Sequence, residues 1–243
     1  MHRLLVDPDE LERETPALSE GAARHLRVLR PKPGEEIELF DGRGRWRVCA
    51  WAQGGLRAAG ALRSAPRPRA LTLFACVTKG ARWDWTVEKA TELGVTRIVP
   101  VLSDRTIVRV GAGEREAKRV RWAKIAEEAA RQSDAKWLPE MVAPVAFDEA
   151  LRLVVGTHCF VGALSEPPPP TIGEALAREP APPVEGGLPY AVFVGPEGDF
   201  TPDELAALVA VATPVSFGST ILRAETAAIY GVGAVKTHLD RFA

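Results

Sequence analysis

The sequence predicts a small antiparallel β-domain over residues 1–67 followed by an α/β domain with a parallel sheet over residues 70–243. Three observations carry this. Short strand-like runs joined by tight-turn residues fill the chain up to Arg63. A proline-rich break, SAPRPRA (Ser64–Ala70), follows them. Beyond the break, continuous apolar runs alternate with helical periods, the pattern of parallel strands covered on both faces.

In the first domain, EEIELF (Glu35–Phe40), RWRVCAWA (Arg45–Ala52) and GLRAAGALR (Gly55–Arg63) read as strands. DGRG (Asp41–Gly44) is a hairpin signal, because Asp-Gly supplies the positive φ such a turn needs. The two prolines of the break forbid regular structure. In the second domain the order is strand LTLFACV, helix WDWTVEKATEL, strand RIVPVL, helix EREAKRVRWAKIAEEAARQS, then strands THCFVGAL and YAVFVG. Helix PDELAALVAVA, strand PVSF and a last helix through His238 complete it. The segment Ser165–Gly187, rich in proline, reads as a surface excursion around one short helix.

The charges divide along the chain. Residues 1–69 hold thirteen Lys and Arg against ten Asp and Glu, residues 70–136 thirteen against nine, and residues 137–243 five against thirteen. A basic front and an acidic rear suit a protein that holds a polyanion with one part and a small net-cationic ligand with the other; chance segregation is the alternative. Cys49, Cys76 and Cys159 lie far apart and His2, His25, His158 and His238 form no close pair, so free thiols and no metal site are expected. The amino terminus lacks the apolar core of a signal peptide and no run is long enough to span a bilayer, so a cytoplasmic protein without membrane contact is expected. There is no GxxxxGK[ST] loop, and GVGAVK (Gly231–Lys236) lies inside the last helix rather than after a strand. A P-loop enzyme and a Rossmann-type enzyme are both disfavoured.

In an open parallel sheet, ligands bind where loops leave the carboxyl ends of strands. Three loops have that position. GPEGDF (Gly195–Phe200) ends in TPDE, in which Thr201 caps the next helix, Pro202 takes its first position and Glu204 closes a capping box. Its two glycines let backbone lie close to a ligand, or merely make a turn. FGSTILRAETA (Phe217–Ala227) puts Glu225 and Thr226 in the first turn of the last helix. There Glu225 complements the helix dipole and Arg223 has the ordinary reading of a surface ion pair. Neither accounts for Ile221 and Leu222 in the loop itself, whereas a flat ligand packed by apolar side chains does. In GALSEP (Gly162–Pro167), Glu166 suits a ribose hydroxyl or an ammonium group, or is a solvated carboxylate.

GPEGDF and FGSTILRAETA, with EKATELGV (Glu88–Val95) and RWAKIAEEAARQS (Arg121–Ser133), closely resemble the bacterial 16S ribosomal RNA uridine-N3 methyltransferases of the SPOUT superfamily. The resemblance implies a PUA-like β-barrel, a following α/β domain tied in a trefoil knot, and a homodimer. It implies S-adenosylmethionine held by Leu164, Ser165, Glu166, Gly195, Glu197, Gly198, Phe217, Gly218, Ile221 and Leu222. Arg223, Glu225 and Thr226 would face the methyl group and the base. The last helix, with its small residues Ala227, Ala228, Gly231 and Ala234, would pack on a second copy. Asp199, Thr220 and Ala135 stand where the family usually has glycine, arginine and arginine, so no phosphate contact is assigned at the last two.

The expected reaction is methylation of uridine N3 in small-subunit ribosomal RNA, free or in the assembled subunit. Alignment of donor and acceptor is its main requirement. Arg223 would stabilise charge growing on the uracil oxygens, and Glu225 would take the imide proton or orient Arg223. His25, Arg27, Arg30, Lys79, Lys89, Arg105, Lys118, Arg121 and Lys124 are candidate phosphate contacts. The rival readings are a non-catalytic RNA-binding or ribosome-assembly protein on the same fold, and the same chemistry at a ribose 2′-hydroxyl or another base nitrogen.

Overall fold

A computed structural model describes residues 1–52, 55–179 and 188–242. Part of the proline-rich excursion, residues 180–187, lies outside the described residues. The chain forms two compact units, Met1–Pro68 with Glu127–Leu138, and Arg69–Ala126 with Pro139–Ala243. The sequence reading gives the first domain as residues 1–67; the compact unit adds Glu127–Leu138.

The first unit holds β1 (His2–Leu5), α1 (Glu20–Leu29), β2 (Glu36–Phe40), β3 (Arg45–Ala52), β4 (Gly55–Ala58) and β5 (Arg63–Ser64). β2, β3 and β4 form an antiparallel meander, with β5 also antiparallel on β3. β1, however, pairs parallel to β2, so the sheet is mixed rather than wholly antiparallel. α1 is a further departure from the all-strand expectation: Ser19 caps it by accepting from the Ala22 amide at 3.3 Å, and Arg30 ends it in the left-handed region at φ 48°. The β2–β3 turn is fixed by Asp41 Oδ1, which accepts from the amides of Arg43 and Arg45 at 2.7 and 3.0 Å. Gly44 there has φ 93°, and a Cβ on it would lie 2.5 Å from the Trp137 ring. Only glycine fits.

Glu127–Leu138 joins this unit through Arg3. The Arg3 guanidinium is buried; it donates to Glu38 Oε1 at 2.7 Å and to the carbonyls of Ala130 and Ala135 at 2.6 and 3.0 Å. Lys136 Nζ donates to the same Glu38 oxygen at 2.6 Å. The unit's apolar core gathers Leu4, Leu11, Leu26, Ile37, Leu39, Cys49 and Leu56.

The second unit holds β6 (Leu71–Cys76), α2 (Ala81–Glu92), β7 (Arg97–Leu102), the first part of α3 (Arg115–Gln132), β8 (Glu140–Met141), β9 (Val145–Ala146), α4 (Phe147–Val154) and β10 (His158–Gly162). It continues through α5 (Ile172–Arg178), β11 (Tyr190–Val194), α6 (Pro202–Val209), β12 (Thr213–Val215) and α7 (Ala224–Asp240). The sheet runs β12-β10-β11-β6-β7-β8, with β9 also on β7, and every pairing is parallel. Both faces are covered. Leu71, Leu73, Tyr190, Val192 and Phe160 point into one core with α2, α5 and α7, and Phe74, Phe193, Cys159 and Val161 into another with α4 and α6. That two-sided burial is what the uninterrupted apolar runs required.

Three of the four small residues of α7 serve this packing, while Ala234 is only partly buried. Ala227, Ala228 and Gly231 are buried, and a Cβ on Gly231 would lie 2.7 Å from Val192 of β11. At these three positions glycine and alanine let α7 approach its own sheet.

Cys49, Cys76 and Cys159 are buried free thiols, and burial pushes Cys76 and Cys159 up to about 12. Among the described residues there is no cluster of potential metal ligands and no helix long and apolar enough to cross a membrane. His238 on α7 is buried against Tyr190 and Phe242, and its Nε2 has no hydrogen-bond partner. Burial, then Arg241, lowers its pKa from the ordinary 6.5, against an opposing pull from Glu179. The unfolded chain therefore takes the proton first as pH falls, so His238 contributes stability above about pH 6.5 that is lost below it. Urea unfolding at about pH 7 and about pH 5 is expected to show a smaller acid-side loss in His238→Phe than in the wild type.

Candidate active site

β12, β10 and β11 are neighbours and parallel, so the loops leaving their carboxyl ends meet at one edge of the sheet. Together they enclose a cleft of about 310 Å3.

The loop after β11 is tied down on two sides. Thr201 Oγ1 accepts from the Glu204 amide at 3.2 Å and Glu204 Oε2 accepts from the Thr201 amide at 3.0 Å, closing the expected capping box. The other Glu204 oxygen accepts from the Asp104 amide at 2.9 Å, fixing the loop after β7 as well. Arg105 Nη1 donates to the carbonyls of Gly198 and Phe200 at 2.9 and 3.2 Å. Asp199 adopts φ 58°, a left-handed conformation that the asparagine-like carboxylate tolerates better than most residues.

The loop after β12 turns at Gly218, whose φ is 117°. Ser216 Oγ braces it, donating to the Gly218 carbonyl at 3.0 Å and accepting from its amide at 3.2 Å. Phe217 is wedged beneath: a Cβ on Gly162 would lie 2.5 Å from its ring and one on Gly231 would lie 3.2 Å from it. Two distant glycines are thus shaped to one aromatic ring. Gly162→Ala is expected to force the Phe217 ring aside and cost about 1–3 kcal/mol, read as a lower midpoint in urea unfolding.

Leu164, Gly195, Glu197, Phe217, Gly218, Ile221, Leu222 and Arg223 all line the cleft. Leu164 and Ile221 are 59% and 81% exposed, two large apolar side chains with little covering them. Ser165 and Glu166 of the β10 loop, and Gly198 of the β11 loop, are exposed and flank the cleft without lining it. Thr226 is exposed on the first turn of α7, where Arg223 is the N-cap.

Glu225 in that first turn is mostly buried. Its Oε2 has no hydrogen-bond partner among the described residues, and its Oε1 lies 3.9 Å from Arg82 Nε. Arg82 Nη1 also donates to Glu197 Oε1 at 3.4 Å. One guanidinium, on the first turn of α2, thus faces carboxylates from the β11 loop and from the first turn of α7. Sequence reasoning assigned nothing to Arg82. The signal was available in its place: it follows β6, the strand beside β11, within one turn of Gly80.

The nine candidate phosphate contacts divide by occupation. Lys89 is paired with Glu88 and Glu92 at 2.7 and 2.8 Å, which raises its pKa. Arg121 makes two hydrogen bonds to Asp84 at 2.8 and 2.5 Å, and Arg105 holds the β11 loop. His25, Arg27, Arg30, Lys79, Lys118 and Lys124 have no ion-pair partner among the described residues.

The RNA methyltransferase domain family matches residues 65–236, and the PUA domain of RNA methyltransferases matches residues 18–50. The Synechocystis sp. ribosomal RNA small subunit methyltransferase E is 30% identical over 98% of this chain and 78% of its own length. A crystal structure of the Neisseria gonorrhoeae ribosomal RNA small subunit methyltransferase E bound to S-adenosyl methionine is 27% identical, with a TM-score of 0.80 over 98% of this chain and 97% of that one. A Legionella pneumophila methyltransferase structure in complex with bound cofactor SAM is 25% identical, with a TM-score of 0.82 over 97% of this chain and 96% of that one. An α/β unit with a parallel sheet, a PUA domain and a cleft built on GPEG and LRAET are thus found in one chain, and it belongs to the RNA methyltransferase family of the ribosomal RNA small subunit methyltransferase E type.

Proposed function

We propose that the protein transfers the methyl group of S-adenosylmethionine to N3 of a uridine in small-subunit ribosomal RNA. The observation that carries this reading is the cleft at the β10, β11 and β12 loops, with exposed Leu164 and Ile221 on its walls and Arg223 and Glu197 in its lining. These residues fit the donor. Leu164, Ile221 and Leu222 offer apolar surface for its flat adenine, over a loop whose shape Phe217 fixes. Gly195, Gly198 and Gly218 bring backbone groups to its polar edge, and Ser165, Glu166 and Glu197 are oxygen acceptors for its hydroxyl and ammonium groups. Bound there, the donor supplies a methyl group activated by its sulfonium.

The remaining residues act on the base. Arg223 donates hydrogen bonds to a uracil oxygen as negative charge develops on it. Glu225 takes the imide proton at Oε2, the oxygen without a partner, or else orients Arg223. Arg82 holds the Glu225 carboxylate from the Oε1 side. Thr226, exposed beside Glu225, offers its hydroxyl to the base's polar edge.

Around this site we place the rest of the reading. The α/β unit carries the trefoil knot of its superfamily and the first unit closes as a PUA-like barrel. Two copies associate through an apolar groove of about 570 Å3 that includes Leu93, Leu176, Ile229, Tyr230 and Ala234. The enzyme works in the cytoplasm, where its RNA is made. His25, Arg27, Arg30, Lys79, Lys118 and Lys124 contact phosphates, with Lys89, Arg105 and Arg121 joining them where their present partners are exchanged. RNA affinity is expected to fall steeply between about 50 and 200 mM salt, measured by fluorescence anisotropy.

The test is mass spectrometry of nucleosides from unmodified small ribosomal subunits incubated with the protein and isotopically labelled S-adenosylmethionine. Labelled 3-methyluridine is the expected product. A label on another nucleoside moves the target atom, and donor binding without any label favours the assembly-protein reading.

A further inference from the structure

The β-rich unit holds a second cleft, of about 510 Å3, lined within residues 16–56. Its base is apolar. Leu26 and Leu56, 4% and 1% exposed, belong to the unit's core, and Leu18 and Trp51 pack partly buried against them. Trp51 is pinned through its backbone: its amide donates to the Glu35 carbonyl at 2.9 Å and its carbonyl accepts from Gly34 at 2.8 Å.

Two cations line this apolar cleft. Arg27 lies in the last turn of α1 and Arg30 at its C-cap, both exposed, and neither side chain has a partner among the described residues. The contrast with Arg24 on the same helix is informative, because Arg24 is paired with Glu20 at 3.1 Å. Two carboxylates of the same unit are also taken. Glu35 accepts from the Lys32 amide at 2.8 Å and lies 3.6 Å from His2, and Glu10 accepts from the Ala17 amide at 2.6 Å.

An indole beside apolar walls and two unpaired guanidiniums match one chemical class. Aromatic side chains stack on unstacked bases, and guanidinium groups pair with phosphate oxygens. The cleft's volume lies in the range of about 300–1,000 Å3 that takes small flat ligands. An RNA duplex presents phosphates to such a surface but keeps its base faces stacked, whereas a single strand or loop offers both. We infer that this cleft binds one unpaired nucleotide of the RNA, with its base against Trp51 and the flanking phosphates on Arg27 and Arg30. The inference rests on the reading of the protein as an RNA methyltransferase, and it specifies which form of RNA the first unit takes.

The experiment uses the full-length protein without methyl donor and measures affinity for a short single-stranded RNA and for a blunt duplex of the same sequence. Trp51→Leu is expected to weaken single-strand binding by about 5- to 150-fold and leave duplex binding unchanged, while Trp51→Phe, which keeps an aromatic face, stays within about threefold of the wild type. Arg27→Ala with Arg30→Ala is expected to weaken both RNAs and reduce the salt slope by about one to two. A single 4-thiouridine in the single strand is expected to cross-link within Pro16–Leu56, mapped by mass spectrometry. Equal losses for both RNAs in Trp51→Leu, equal behaviour of Trp51→Leu and Trp51→Phe, or a cross-link only elsewhere each overturns the inference. Methyl transfer to intact subunits by the same wild-type preparation separates the cases: if it proceeds while Trp51→Leu binds single strands normally, the nucleotide site fails and the enzyme reading stands.

Discussion

Arg223→Ala is expected to lower turnover at saturating S-adenosylmethionine by about 100- to 1,000-fold, the usual cost of removing one donor aimed at a developing oxyanion. The residue is the N-cap of α7 yet its side chain makes no cap hydrogen bond, so little of its present structure depends on it. Donor affinity is therefore expected to stay within a few-fold of the wild type, and the loss to fall on turnover rather than on binding. Glu225→Gln divides the two roles left open for that carboxylate. A loss of about 100- to 10,000-fold marks proton acceptance at Oε2. A loss of tenfold or less marks a residue that orients Arg223. Near-normal turnover in both variants removes Arg223 and Glu225 from the reaction.

Arg3→Met is expected to destabilise the protein by about 3 kcal/mol in urea unfolding. Removing one partner of a buried ion pair typically costs about 3–5 kcal/mol, and Lys136 on the same Glu38 oxygen keeps the loss at the low end. The carbonyls of Ala130, Arg131 and Ala135 each lose one donor at the same time, Ala130 keeping the Ala135 amide at 3.1 Å. Arg3→Met with Glu38→Leu is expected to recover part of the loss, since an apolar pair leaves no uncompensated charge. A single variant as stable as the wild type would show that the Arg3 contacts contribute nothing net.

The sheet of the second unit was legible because its strands are buried on both faces and read as unbroken apolar runs, and α6 because Thr201, Pro202 and Glu204 mark its start unambiguously. Elements with weaker local signals were not. α4 has Ala146 at its N-cap and so no side-chain cap, and α1 buries only Leu26. β1 lies at the chain's end and pairs parallel with a strand more than thirty residues away, so no turn announces it. In the site, the loops that line the cleft were readable from glycines and misplaced apolar residues. What joins them was not: the seat of Phe217 between Gly162 and Gly231, and the reach of Arg82 to Glu197 and Glu225, are made by residues far apart in sequence. The stripe of small residues on α7 was visible, but a stripe does not say which surface it packs on.

The return of Glu127–Leu138 to the first unit sets an order on biosynthesis. Arg3 leaves the ribosome well before the carbonyl of Ala130 that it will hold, which is made 127 residues later. A nascent chain ending at Pro68 has all five strands of this sheet but lacks the segment that covers Arg3, and its Arg3–Glu38 pair stays open to water. The β-rich unit therefore completes after much of the α/β unit has been translated, contrary to the usual sequence of amino-terminal domains first. For the same reason a gene fragment cut at the prolines encodes an unfinished unit, and grafting this unit onto another protein requires transplanting two separate pieces of chain.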